Sequence, residues 1–182
     1  MAAYIVLLLA VLSRILPHAF GATSVGFTAV GGGLLFFGAR RGRWHTIAAV
    51  LALMATDIYL TVFVYRYPFQ TSTYLVTWVW YAAVCLLGSG LLKGKPSMLR
   101  LGGAVLASST SFFIVSNFVV WMTSGMYPHS IAGLGACYVA AIPFYANDAM
   151  STAITAGALF GLPQLAASLA ESIREARNGR EA

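Results

Sequence analysis

The length of its uncharged stretches limits this chain more than any other feature. No Asp, Glu, Lys or Arg occurs between Arg14 and Arg40, between Arg66 and Lys93, between Arg100 and Asp148, or between Asp148 and Glu171. Most of these stretches are apolar as well. A helix needs about 20 such residues to cross the hydrocarbon core of a bilayer. The composition agrees: 59% of the 182 residues are hydrophobic and 9% are charged, with a mean hydropathy of +0.80. A water-soluble domain carries about 25% charged residues. The length holds about six spans with short loops. The chain therefore reads as an all-α integral membrane protein. Disorder, a nucleic-acid-binding domain and a secreted disulfide scaffold are excluded.

Breaks in the apolar pattern divide the chain into six transmembrane helices. They cover residues 2–16, 24–39, 45–65, 73–92, 101–123 and 147–170. The first stops at Pro17, because proline disfavours helical geometry in the residue before it. Residues 131–144 are apolar but too short to span, and Pro143 closes them, so they read as a short re-entrant or interfacial helix before the last span. Residues 1–170 form a single transmembrane domain, and residues 171–182 form a short charged tail. The first apolar stretch, followed by Ala19-Phe20-Gly21-Ala22, is loosely like a signal peptide. It lacks the positive n-region of one, so it reads as the first span.

The net charge of +6 belongs to topology. Arg40, Arg41 and Arg43, then Lys93, Lys95 and Arg100, then Arg174, Arg177 and Arg180 fall on one side of a six-span arrangement. Loops rich in Lys and Arg stay cytoplasmic. Both termini are therefore expected inside, in a multi-pass protein of the cell (inner) membrane. Cys85 and Cys137 lie in apolar segments, form no C-x-x-C pair, and read as packing residues rather than a disulfide or metal pair. Small residues for close helix contact occur at Gly31-Gly32-Gly33 with Gly38, at Ala48/Ala52, at Gly102-Gly103 and at Gly157/Gly161.

Ionisable groups inside spans are costly and point to function or pairing. Arg14, Asp57 and Asp148 are the three. Asn117 and Trp121 lie one turn apart near the outer end of the fifth span, and His18, Tyr127, His129, Tyr138 and Asn147 lie in or near the outer loops. The polar groups thus gather in the outer half of the bundle. Structural readings stand beside a pocket for each. Arg14 can simply pair with Asp57, Asn147-Asp148 can cap the last helix, and Asn117 can bridge helices. His18 and His129, each beside a proline, can be interfacial. Trp78, Trp80 and Tyr81 read as an outer aromatic belt. No metalloprotease, hydrolase or phosphate-loop motif is present, so no enzyme, no metal site and no cofactor is expected.

The run Arg14 … Leu16-Pro17-His18, Phe27 … Leu35-Phe36-Phe37-Gly38, Asn117-Phe118-Val119-Val120-Trp121, Tyr127-Pro128, Cys137-Tyr138, Pro143-Phe144 and Asn147 resembles a family of bacterial six-helix membrane proteins of unknown function. It departs from that family at Ala22-Thr23-Ser24 and at Asn147-Asp148. The family in turn resembles the substrate-binding S components of energy-coupling-factor transporters. That resemblance implies a small-solute, vitamin-like binding subunit with an outward-facing site, docked on a transmembrane scaffold with ATPase subunits. In that reading the solute contacts are Arg14, His18, Asp57, Asn117, Trp121, Tyr127, His129, Tyr138, Asn147 and Asp148. Arg14 would meet an anionic group or orient Asp57, and Trp121 or Tyr138 would stack on a ring. The partners would be the lipid bilayer, the solute and that scaffold, with no nucleic acid. The alternative is a structural or accessory subunit of a larger membrane assembly, with no ligand.

Overall fold

Where they are described, the uncharged stretches fold mainly as helix. In the computed structural model, which describes residues 1–19, 27–69 and 71–178, the described residues form six α-helices and no strand. They are α1 (Ala2–Ala19), α2 (Val30–Arg40), α3 (Thr46–Tyr59), α4 (Thr71–Leu91), α5 (Met98–Thr123) and α6 (Ile131–Asn178). A 3-10 turn, Arg43–His45, leads into α3, and a π-helical turn, Leu60–Val64, prolongs it. Four segments are long and apolar enough to cross a membrane: Arg43–Val64, Tyr74–Leu91, Met98–Thr123 and Ile131–Asn178. Ala2–His18 is a shorter apolar helix.

α2 is the central element. Its 11 residues extend only about 16 Å at 1.5 Å per residue, and every residue from Val30 to Ala39 is buried. A helix that is apolar all round belongs inside, and here α1, α4 and α6 cover it. Glycines make the approach possible. A Cβ on Gly38 would overlap the Cys85 carbonyl of α4, and one on Gly88 would overlap the Leu35 carbonyl of α2. Gly31 and Gly32 lie against Thr152 and Ala156 of α6. The expected small-residue faces are thus real in α2. At Gly102, Gly103, Gly157 and Gly161 a Cβ would meet nothing within 4 Å, so these four glycines make no close helix contact within the described residues. Ala48 is exposed, and its neighbour Ala49 is the buried one.

Side-chain contacts fix the helix directions. Tyr4 meets Phe37 and His45 at one end of α1, while Ser13 Oγ accepts from the Ala29 amide at the other. α1 therefore runs antiparallel to α2 and parallel to α3. Thr61 meets Tyr74, so α4 returns beside α3. Thr110 meets Tyr145 and Ile114 meets Tyr138, so α5 and α6 are antiparallel. The α1–α2, α3–α4 and α5–α6 connections consequently share one end. Arg40, Arg41, Arg43, Lys93 and Lys95 occupy the other.

Two boundaries differ from the sequence reading. α1 continues through Pro17 to Ala19: proline forfeits one helical hydrogen bond, and the helix runs only two residues beyond it. The separate short helix at 131–144 does not exist. α6 is continuous through both Pro143 and Pro163, so the expected re-entrant piece and last span are one helix, and the tail is helical to Asn178. Proline removes one helical hydrogen bond, but neighbouring helices can hold the backbone together around it. Here Tyr138 and Cys137 before Pro143, and Tyr145 after it, all bond to α5. Residues 20–26, which include the expected start of the second helix and Ala22-Thr23-Ser24, lie outside the described residues, as does Arg180.

Candidate functional site

The expected polar cluster separates into two groups with no shared hydrogen bond among the described residues. The first joins α1, α3 and α4. Asp57 is 1% exposed, and its carboxylate is fully engaged. Oδ1 accepts from Arg14 Nη1 at 2.5 Å and from the Tyr81 hydroxyl at 3.3 Å, and Oδ2 accepts from Trp78 Nε1 at 3.0 Å. Arg14 Nη1 also donates to the Tyr81 oxygen at 2.9 Å. The Arg14–Asp57 pairing expected from depth alone is present. The aromatic belt is corrected: Tyr81 is 3% exposed, Trp78 serves Asp57, and Trp80 Nε1 donates to the Ser108 carbonyl. These rings face inward because each carries a polar group with a buried partner.

Aromatic rings cap this group toward the end opposite the arginines. Phe69, Tyr74 and Trp78 stack in succession, and Tyr74 bonds to Thr61 on the π-helical turn. π-helical turns recur at functional sites, and here one begins three residues after Asp57. His18 Nε2 meets the Tyr65 hydroxyl at 2.8 Å. Tyr65 lies just beyond the Arg43–Val64 span. Burial raises its phenol above the ordinary range, with the Arg14 charge pulling the other way. The Tyr65 hydroxyl can donate to His18 Nε2.

The second group lies between α5 and α6, around a cavity of about 160 Å³. Asp148 and Ser109 form its polar side, with Phe112, Phe113, Phe144 and Tyr145 among its walls. Ser109 is 1% exposed. Its hydroxyl faces the Asp148 carboxylate, yet the approach completes no hydrogen bond: Ser109 Oγ has no partner, and neither has the buried Oδ2 of Asp148. Unpartnered buried polar atoms are rare and call for an explanation. Asp148 does not cap a helix, since α6 begins at Ile131. Asn117, Ala141 and Phe144 belong also to a second cavity of about 180 Å³, which reaches Met126 and Tyr127 at the α5–α6 connection. The two cavities adjoin along these three shared residues, one next to Asp148 and the other next to Tyr127.

The other expected contacts are occupied by the chain itself. Trp121 Nε1 donates to the Pro128 carbonyl at 2.9 Å, and His129 Nε2 donates to the Trp121 carbonyl at 3.1 Å. The Tyr138 hydroxyl donates to the Ile114 carbonyl. Asn147 is exposed and lines neither cavity. Asn117 Nδ2 donates to the Phe113 carbonyl, and its side-chain oxygen takes no bond from the described residues. Sequence reasoning missed Ser109 and Tyr145, which look like ordinary span residues until α6 is known to continue through Pro143. No cluster of three or more His, Cys, Asp or Glu side chains that could hold a metal occurs among the described residues.

Residues 1–173 match the model of a family of unknown function (DUF6580), and the chain belongs to that family. Neither the curated proteins nor the solved structures include a match to it.

Proposed function

We propose that this protein is a membrane-embedded subunit that binds a small solute entering from the outer face, in the manner of an S component. The observation that carries the reading is the α5–α6 cavity lined by two residues with buried, unpartnered polar atoms, Asp148 Oδ2 and Ser109 Oγ. Mostly apolar walls with a few convergent polar groups are what small-ligand sites require. In this reading the six helices insert with both termini cytoplasmic, since the arginine-rich end obeys the positive-inside rule. The protein sits in a bacterial inner membrane, and the energy for uptake comes from ATPase-bearing partners, because the chain has no nucleotide-binding motif.

The proposed solute contacts are Asp148, Ser109, Asn117 and Tyr127. Arg14 and Asp57 act as the framework that holds α1, α3 and α4, with no anion to bind. The test is direct. Protein purified in mild detergent is denatured in organic solvent, and the extract is searched by mass spectrometry for a stoichiometric small molecule. A retained compound that also raises the melting temperature on re-addition supports the reading. An empty extract, with no thermal shift across a broad panel of cationic, neutral and anionic metabolites, overturns it and leaves the accessory-subunit alternative.

A further inference from the structure

We infer that the solute held between α5 and α6 is a small organic cation carrying a primary ammonium group, an inference that rests on the binding role proposed above. Asp148 supplies a carboxylate whose buried Oδ2 has no partner. No described Arg, Lys or His within the bundle forms an ion pair with it; the one ion pair there commits Arg14 to Asp57. A partly buried carboxylate is stabilised in its charged form by a positive partner. The described residues of the bundle supply none, and a cationic ligand would.

The surrounding groups specify which kind of cation. An ammonium has three hydrogens to donate and accepts none. Three residues that line the same cavity carry acceptors with no donor among the described residues: Asp148 at Oδ2, Ser109 at its hydroxyl, and Asn117 at its side-chain oxygen. Phe112, Phe113 and Tyr145 add aromatic walls, and aromatic faces attract cations. A divalent metal would want several oxygen or nitrogen ligands from acidic or His side chains, and no group of three exists among the described residues. An anion would meet a second negative charge. The cavity of about 160 Å³ is close to the roughly 150 Å³ that accommodates benzene. It fits an ammonium with a compact carbon skeleton.

Three isosteric probes test the assignment on the full-length protein in detergent: benzylammonium, benzyl alcohol and benzoate. Binding is read by calorimetric titration and by thermal shift, and Asp148→Asn controls for partition of each probe into the micelle. Saturable binding of benzylammonium is expected, at least tenfold tighter than benzyl alcohol, with none for benzoate. Asp148→Asn should remove that preference, and Ser109→Ala should weaken benzylammonium several-fold. Equal binding of the alcohol, or preference for benzoate, overturns the cationic assignment and leaves solute binding standing. Failure of all three to bind the wild type also overturns it. An empty extract and a blank panel would then remove the binding role as well. If Asp148→Asn does not fold, the ranking of the three probes on wild type and on Ser109→Ala still decides.

Discussion

Arg14 Nη1 stands 2.5 Å from Asp57 Oδ1, and that contact carries the junction of three helices. Asp57 belongs to α3, Arg14 to α1, and the two other donors to its carboxylate, Trp78 and Tyr81, to α4. Each oxygen of this carboxylate has a donor. Asp148, the other carboxylate within the bundle, leaves a buried oxygen with none. Two acidic residues have thus been treated in opposite ways, Asp57 fully buried and Asp148 partly so. One is satisfied within the fold, and the other keeps a buried oxygen free.

Removing one member of the pair should therefore cost more than removing both. A lone partner left in a buried setting is expected to destabilise by about 3–5 kcal/mol. Arg14→Ala and Asp57→Ala should each lower the melting temperature sharply in detergent. The double variant should recover part of that loss. Strictly additive losses would show that the pair does not act as a unit. Tyr81→Phe, which removes one hydroxyl bonded to both charges, should cost less, about 1.5–3 kcal/mol.

The glycines divide into those that touch a neighbouring helix and those that do not. Gly38→Ala and Gly88→Ala each place a methyl group into a backbone carbonyl of the facing helix. Backbone cannot step aside as a flexible side chain can, so each should destabilise at the upper end of overpacking costs, about 3 kcal/mol or more. Gly157→Ala and Gly102→Ala meet nothing within 4 Å and should be neutral or slightly stabilising, since alanine favours helix. Thermal melts of the four variants in one detergent give the comparison. Equal effects in both classes would remove the close α2–α4 crossing.

Charge-free runs made the helices legible, and depth made the Arg14–Asp57 pair legible. Gly31-Gly32-Gly33 and Gly38 pointed correctly to a tight α2, because a Cβ-free face has few other uses in an apolar helix. Pro143 pointed the wrong way. Taken alone it ends a helix, but three tertiary bonds to α5 carry α6 through it. That single boundary moved Asp148 from a helix cap to the wall of a cavity and brought Ser109 opposite. Trp78 and Tyr81 were misread for a related reason. An aromatic residue near a span end suits the interface and the interior equally well, and only the position of Asp57 on the adjacent helix chooses between them.

Topology can be checked with the buried cysteines left in place. Cys85 and Cys137 are both buried, so a cysteine introduced on the surface should dominate labelling. Trp44 is 84% exposed at the arginine end, and Ser124 is exposed at the α5–α6 connection. With both termini cytoplasmic, Ser124→Cys should react with an impermeant maleimide in intact spheroplasts. Trp44→Cys should react only after permeabilisation. The reverse pattern would invert the orientation and with it the outward-facing site.

Trp121 tests whether the α5–α6 connection binds or only closes. Its indole nitrogen already donates to the Pro128 carbonyl, and His129 returns a bond to the Trp121 carbonyl. Trp121→Phe keeps an aromatic ring in place and removes that donor. The expected cost is about 1 kcal/mol of stability, with solute affinity changed less than twofold. A loss of affinity larger than the loss of stability would make Trp121 a ligand contact, as the sequence alone suggested.

Ser109 gives the sharpest separation between packing and binding. A buried hydroxyl without a partner has given up hydration and received nothing in the empty protein, a deficit of about 1–3 kcal/mol. Ser109→Ala removes the hydroxyl and leaves a space no larger than one oxygen. The empty variant should therefore melt at the same temperature as the wild type or higher. Its solute-induced thermal shift should shrink, because the oxygen that meets the solute is gone. Binding sites commonly trade stability for function in this way. A variant less stable when empty by about 1 kcal/mol or more would mean that the hydroxyl has a structural partner, Asp148 being the nearest, and the cavity would lose its standing as the site. Stability gained together with an undiminished solute shift would remove Ser109 from the solute contacts.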